Sequence, residues 1–526
     1  MNLQRLPENF VRWGVTLFGI LLALFLARKA GDSQMGFVVG ILLMLVGIGV
    51  VLAVREKIWV LIPIAWGLVG QIPSLGLPFS ARDLVVLFIF VSFLMLTAFK
   101  VVRSRQKFGV LDTLAIIMML YLLASWIRNP VGVDALGSER VGGRPYLNCI
   151  IGALSYWVLS RVSVRAGSAN RLAIAMAGGR MVEGVLAQFL AWFPLLSGFI
   201  SAYYVSGIFT LAEGLNSAPI PGAESTERLG YLVGIGQPLL QYLFARHRLD
   251  SLLNPLRPWW PLLITGALCV LFSGFRSALF LCLGYLVLSG YFYRGSIEVM
   301  RIGLILFCAL VIMAIGNGTL FNLPLSAQRA LSWLPGQWDE YAVLEAKAST
   351  KWRTDMWVLM LTTDHYITNK YLGDGFGFDK REMATMEYFA RTGDNLAGQE
   401  SFMITGSVHS GPVSSIRYGG YIGLALLLTF LVAQAREAWS LIRRAFSTPF
   451  RILALFVCVP IVIEPVFFTL IFGAYENAIP ESLYNLGMLR MLGNSLAKYD
   501  LSIKTPAVIA ASGSASEHNF GELVRV

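Results

Sequence analysis

The chain has 526 residues, 56% of them hydrophobic and only 14% charged, with a mean hydropathy of +0.66, which excludes a water-soluble domain and predicts a polytopic membrane protein. Its formal charge of +11 does not signal nucleic acid, because Lys and Arg fall in short clusters between apolar runs and no basic domain carries such binding. Cys149, Cys269, Cys282, Cys308 and Cys458 all lie in or beside apolar runs, so no disulfide or zinc framework is indicated.

The first apolar run begins near Trp13, lacks a small-residue cleavage signal and is followed at once by another; it reads as a membrane anchor and not a cleaved signal peptide. Runs long enough to cross a bilayer, roughly 17 to 25 residues, fall at about 12–28, 35–54, 58–78, 84–99, 109–127, 147–160, 172–197, 229–245, 259–275, 277–293, 302–316, 418–434 and 452–474. Residues 481–498 have a helical pattern interrupted by Asn485, Arg490 and Asn494. That segment is either a further crossing or a helix lying at the interface. The expected fold is therefore an all-α polytopic membrane protein of about 12–14 transmembrane helices. An N-terminal bundle (1–316) leads to one large, partly helical loop (317–417), then C-terminal helices (418–498) and a disordered tail (499–526). No internal repeat argues for a transporter of repeated halves.

Positive charge marks cytoplasmic connections. With the N-terminus inside, inner connections carry Lys100, Arg103, Arg105 and Lys107, then Arg161, Arg165 and Arg171, then Arg246, Arg248 and Arg257, and later Arg436, Arg443, Arg444 and Arg451. The polar stretches at about 128–146, 198–228 and 317–417 then fall outside.

Ionisable residues within or beside apolar runs are candidates for function or for internal pairing. Asp83 reads as an N-cap, and Arg180 with Glu183, three apart on one helix face, as a self-neutralising pair. Glu464 precedes Pro465. Tyr203, Tyr204, Glu213, Arg140 and Arg144 in the outer stretches are either interface anchors or the lining of a sugar or phosphate path. Arg276 sits where one apolar run ends and another begins. It is either a snorkelling interfacial arginine or a phosphate ligand, since its planar fork of donors matches phosphate oxygens.

In the long loop, Ser349 or Thr350 is the expected N-cap of a helix to about Thr363, with Arg353, Asp355 and Trp357 in its first turns. Arg353 has the alternatives of a solvated charge paired with Asp355 or Glu345, or of a second anion ligand. Gly373, Gly375 and Gly377 mark an abrupt turn; no strand-to-helix unit surrounds them, which argues against a nucleotide loop. His409 is one of four histidines. It reads either as a surface loop residue or as a base able to take a proton from a sugar hydroxyl near neutral pH.

Taken in order, Ser273-Gly274-Phe275-Arg276-Ser277-Ala278-Leu279, Arg353 with Trp357, Leu372-Gly373-Asp374-Gly375-Phe376-Gly377, His409 and Tyr418-Gly419-Gly420-Tyr421-Ile422-Gly423-Leu424 resemble the O-antigen ligase and polymerase superfamily of bacterial membrane glycosyltransferases. The chain departs from that pattern after the histidine: Ser410-Gly411-Pro412 stands where family members often carry Asn or a similar small polar residue. The resemblance implies transfer of a glycan from a polyprenyl (undecaprenyl) diphosphate carrier at the periplasmic face of the bacterial inner membrane, in lipopolysaccharide or exopolysaccharide biosynthesis. His409 would be the catalytic base, and Arg276 and Arg353 would hold the diphosphate. It also implies no metal and no cofactor. The implied partners are a lipid-linked glycan donor, a glycan, lipid A-core or protein acceptor, and membrane lipids, with no nucleic acid. A flippase for lipid-linked sugars is the alternative from another class.

Overall fold

The structure, a computed structural model, describes residues 55–73, 79–98, 108–130, 142–207, 229–377, 402–403 and 408–520. The spans expected at 12–28 and 35–54 lie outside these residues, as do 131–141, 208–228 and 378–401. Among the described residues the regular elements are all helical. The longer ones are α1 (Ala81–Ala98), α2 (Val110–Arg128), α3 (Gly143–Leu159), α4 (Ala169–Trp192), α5 (Val233–Arg246), α6 (Trp260–Phe272), α7 (Arg276–Arg294), α8 (Ser296–Gly316), α9 (Leu325–Leu331), α10 (Glu340–Thr362), α11 (Gly411–Ala445), α12 (Arg451–Leu470) and α13 (Tyr475–Phe520). Six described helices, in α2, α4, α7, α8, α11 and α12, are long and apolar enough to cross a membrane; the protein is a multi-pass, all-α membrane protein. The run expected at 58–78 is not one continuous helix: a 3-10 turn at Arg55–Val60 leads to the short helix Leu61–Ala65, and extended chain follows.

The bundle has two chemically different ends. At one, arginines lie over aromatic rings: Arg161 on Trp157, Arg246 on Tyr242, Arg257 on Trp259, Arg443 on Trp439 and Arg451 on Tyr293. Contacts such as Tyr293 Oη to the Ala245 carbonyl (2.7 Å) and Arg444 to Asp500 (3.5 Å) tie these helix ends together. These arginines, from the clusters expected in the inner connections, share one face with an aromatic belt, whereas the cluster of Lys100, Arg103, Arg105 and Lys107 lies outside the described residues. At the opposite end, the long loop folds down onto the helices.

α13 runs from one end to the other. Near its start, Tyr475 N donates to Ser414 Oγ (3.0 Å) at the loop end; near its far part, Asn494 Nδ2 donates to the Ser160 carbonyl (2.8 Å) and Lys498 reaches Ser163 (2.7 Å) at the arginine end. It is therefore a through-bundle helix and not one lying across a surface. Two of the three residues that interrupt its apolar pattern are satisfied by neighbours, Arg490 by Asp112 and Asn494 by backbone carbonyls. Small residues let it approach α3 closely: a Cβ on Gly152 would stand 2.7 Å from the Pro480 carbonyl, and one on Gly487 2.9 Å from the Tyr156 Cα. The tail expected to be disordered from 499 continues this helix as far as Phe520.

Candidate functional site

The long loop is organised by a reciprocal fit between its glycine turn and a break in α11. Gly420 departs from helical geometry (φ 64°, ψ −174°), so α11 is two helices, 411–419 and 421–445, meeting at a kink. Breaking a helix frees backbone donors and acceptors that cannot stay unpaired in an apolar bundle. Here the turn supplies partners on both sides of the break: Asp374 N and Gly375 N donate to the Arg417 and Tyr418 carbonyls (2.9 Å each), and Tyr421 N and Ile422 N donate to the Lys370 and Tyr371 carbonyls (2.9 and 3.2 Å). Only glycine fits at the crossing, because a Cβ on Gly373 would lie 2.4 Å from Gly420 N and one on Gly420 2.2 Å from the Tyr371 carbonyl oxygen.

Side chains from α2 and its C-cap Asn129 fasten this joint. Tyr121 Oη donates to the Gly419 and Leu372 carbonyls (2.7 and 3.0 Å), Arg128 donates to the Leu372 and Gly373 carbonyls (2.9 and 2.7 Å), and Asn129 Nδ2 to the Asp374 carbonyl (2.8 Å). The Asp374 carboxylate accepts from Thr368 N and Asn369 N (2.9 Å each) and from Arg417 Nη1 (2.6 Å). Charge-assisted bonds of this kind make the turn rigid. Sequence reading placed the turn but not these partners, since Tyr121 and Arg417 are more than 40 residues from Asp374 or Leu372 along the chain.

His409 immediately precedes the first half of α11, with Ser410 as N-cap and Pro412 in the first helical turn. Its φ of 56° places a non-glycine residue in the left-handed region, which is uncommon and marks a position held by its surroundings. The half-buried ring stands edge-on between Phe402 (5.7 Å) and Phe472 (5.5 Å). The other histidines differ: His247 stacks on Trp259 (4.0 Å), its pKa pushed down to about 4 by burial and then by Arg246, and His365 is exposed in the turn after α10.

The helix carrying Arg353 is joined to the His409 segment directly. Trp357 Nε1 donates to the Val408 carbonyl (2.8 Å), and Met356, Met360, Val408, Val413 and Ile416 share one apolar cluster. Arg353 precedes Trp357 by one helical turn, so both lie on the same face, and Arg353 is half-buried. The start of this helix differs from expectation. It begins at Glu340, because Asp339 caps it by accepting from Tyr341 N (2.9 Å), whereas Thr350 is mid-helix and its hydroxyl turns back to the Ala346 carbonyl (3.0 Å). Arg353 therefore sits in the second half of α10, and Glu345 is bridged by Arg329 of α9 (3.2 Å).

Arg276 opens α7, after a break at Ser273-Gly274 where Gly274 has φ 70° and Ser273 Oγ accepts from Phe275 N (3.3 Å). α7 packs on α12, and a Cβ on Gly284 would be 2.9 Å from Ile463 Cδ1. From that contact, Arg276 lies about 12 Å along α7 at 1.5 Å per residue, at the N-terminal end of that helix. From the other side, α9 packs on both α6 and α10, so the chain leading to Arg276 and the helix carrying Arg353 share a neighbour.

Two readings of intramembrane charge are corrected. Asp83 is not the N-cap of α1; Ser80 is, and the two form a capping box (Ser80 N to Asp83 Oδ2 2.9 Å, Asp83 N to Ser80 Oγ 3.2 Å), while Asp83 also binds Arg144 (2.6 Å) and Arg82 (3.3 Å). Arg180 and Glu183 do not pair among the described residues. Glu183 accepts from Gly70 N and Ser206 Oγ (2.8 Å each) and from Tyr204, whereas Arg180 turns to Gln241 Oε1 (3.5 Å).

No protein-family model matches the chain, and no curated protein matches it.

Proposed function

We propose that the chain is a membrane glycosyltransferase moving a glycan from a polyprenyl diphosphate carrier to an acceptor hydroxyl at the periplasmic face of the inner membrane. The observation that carries this reading is the Trp357–Val408 hydrogen bond, which ties the Arg353 helix to the His409 segment across 51 residues of sequence. In the proposed reaction the acceptor oxygen attacks the anomeric carbon as the bond from that carbon to the diphosphate oxygen breaks. His409 takes the acceptor proton, and the electron pair leaves on the diphosphate, whose growing charge Arg276 and Arg353 stabilise. Ligation to a lipid A core, joining of polysaccharide repeat units and glycosylation of a protein all use this chemistry.

The test is purified protein in detergent with a polyprenyl-diphosphate glycan and candidate acceptors, scored for a new glycosidic bond and released polyprenyl diphosphate. Movement of the lipid-linked glycan across proteoliposomes with no new bond would overturn the reading in favour of a flippase. The break in α11 is the observation on that side, since transporters use broken helices to expose backbone groups to cargo. Here the freed groups are occupied by the glycine turn, which favours a rigid site over a moving one.

Two predictions belong with this reading. Arg276→Lys and Arg353→Lys keep the charge but lose the bidentate fork, so each should weaken donor binding about tenfold and lower turnover; parental values in both variants would show that charge alone suffices. Lys351 is exposed on α10, and Lys351→Cys should react with a membrane-impermeant thiol reagent in intact spheroplasts well above the parent, whose exposed cysteine is Cys308 within α8. Labelling only after lysis would reverse the orientation.

A further inference from the structure

A polar space lies at the loop end of the bundle, among α1, α3, α4 and the start of α13. It has a volume of about 450 Å³ and is lined by Arg82, Arg144, Arg180, Asn148, Asn477 and Glu481 together with Trp66. That volume is in the range of small-molecule sites. Three guanidinium groups at one space inside a membrane bundle are costly to keep there without a use or a partner.

The charges are built in by neighbours. Arg82 donates to Asn148 Oδ1 (3.0 Å), and Arg82 and Arg144 both bind Asp83. Trp66 is held rigidly: it stacks on Tyr484 (4.0 Å, 9°), lies under Arg82 (5.0 Å) and donates Nε1–H to Glu481 Oε2 (2.5 Å). Gly67 and Gly179 bring this segment onto α4, a Cβ on Gly67 standing 2.8 Å from the Arg180 Cα and one on Gly179 2.1 Å from the Ile64 carbonyl oxygen. Arg180 has the Gln241 amide oxygen at 3.5 Å and the Phe456 ring at 5.8 Å, and no carboxylate within ion-pair distance among the described residues. Glu464 lies near Glu481 but does not line the space.

Arginine forks suit an oxyanion, while Glu481, Asn148 and Asn477 offer the acceptors and donors that sugar hydroxyls use. The space is also close to the candidate base along one stretch of chain. Phe472 touches His409, Tyr475 N binds Ser414 Oγ, and Asn477, Pro480 and Glu481 line the cavity. We propose that this cavity binds a sugar bearing a phosphate or carboxylate group, with Arg180 as the principal ligand of the oxyanion, and that the bound sugar belongs to the acceptor. The last clause rests on the transferase reading; the binding itself does not.

The test uses full-length protein in detergent without donor, with glucuronate, glucose 6-phosphate, glucose and inorganic phosphate as probes in saturation-transfer NMR titrations. Glucuronate and glucose 6-phosphate should bind at least tenfold more tightly than glucose, and inorganic phosphate should displace both while binding more weakly than either. Arg180→Gln should weaken both charged sugars tenfold or more, and His409→Asn should leave their binding unchanged. If Arg180→Gln does not fold, Arg180→Lys serves, with a partial loss expected because the charge stays and the fork goes. Glucose binding as tightly as glucuronate, phosphate binding as tightly as the charged sugars, or parental binding in the Arg180 variant would each overturn the proposal. Loss of transfer in His409→Asn with binding intact separates this inference from the reaction; transfer by a parent that binds neither charged sugar would overturn the inference and leave the transferase standing.

Discussion

His409→Asn should lower turnover by about a hundredfold or more, the scale of a positioned acid or base, while leaving fold and donor affinity near those of the parent. Asparagine is the substitution of choice because His409 occupies the left-handed region at φ 56°, which Asn tolerates better than Ala. It keeps the backbone that starts α11 but takes no proton near neutral pH. The parent's rate should decline on acidification, because an imidazolium accepts no proton, and the residual rate of the variant should not follow that titration. Single-turnover transfer across a pH series measures both. A folded His409→Asn protein with the parental rate would remove the histidine from the chemistry and leave it as a structural lead into α11.

Gly420→Ala should have the largest effect on folding. At φ 64°, ψ −174° the backbone is in a region essentially reserved for glycine, costing a side chain on the order of 1–3 kcal/mol. The added Cβ would also meet Tyr371 O at 2.2 Å and Gly373 N at 2.5 Å, backbone atoms that cannot rotate away. Together these predict a loss of about 3 kcal/mol or more, read as a lower unfolding midpoint and a loss of the monodisperse peak in size-exclusion chromatography. Gly178→Ala on α4 is the control: a Cβ there meets nothing within 4 Å, and Ala favours helix over Gly by about 1 kcal/mol. Equal midpoints for Gly420→Ala and the parent would mean that the turn and the helix break are not locked together.

Much of the architecture was legible because the bilayer makes hydropathy a strong local signal. Apolar runs became α1 to α8, α11 and α12, and arginines at their ends gathered on one face. Glycines at 373 and 375 stand at positive φ, as the expected turn requires, whereas Gly377 does not and the break at Gly420 was not legible. The spacing of Arg353 and Trp357 became a shared helical face. Each of these follows from residues within a few positions of one another.

Partners were not legible. The sequence by itself determined a multi-pass helical protein and the order of the loop's motifs. It misjudged the start of α10, where Asp339 and not Ser349 or Thr350 supplies the cap, and it paired Arg180 with Glu183 by spacing alone. Only the tertiary structure joined Arg490 to Asp112, Asp374 to Arg417, Arg144 to Asp83 and Trp357 to Val408. It also drew three arginines from three helices around one cavity. The physical reason is that a buried charge or broken helix must find its complement wherever the packing brings one. In this bundle the complement is often hundreds of residues away, as for Arg490 and Asp112, 378 positions apart, where no local pattern records it.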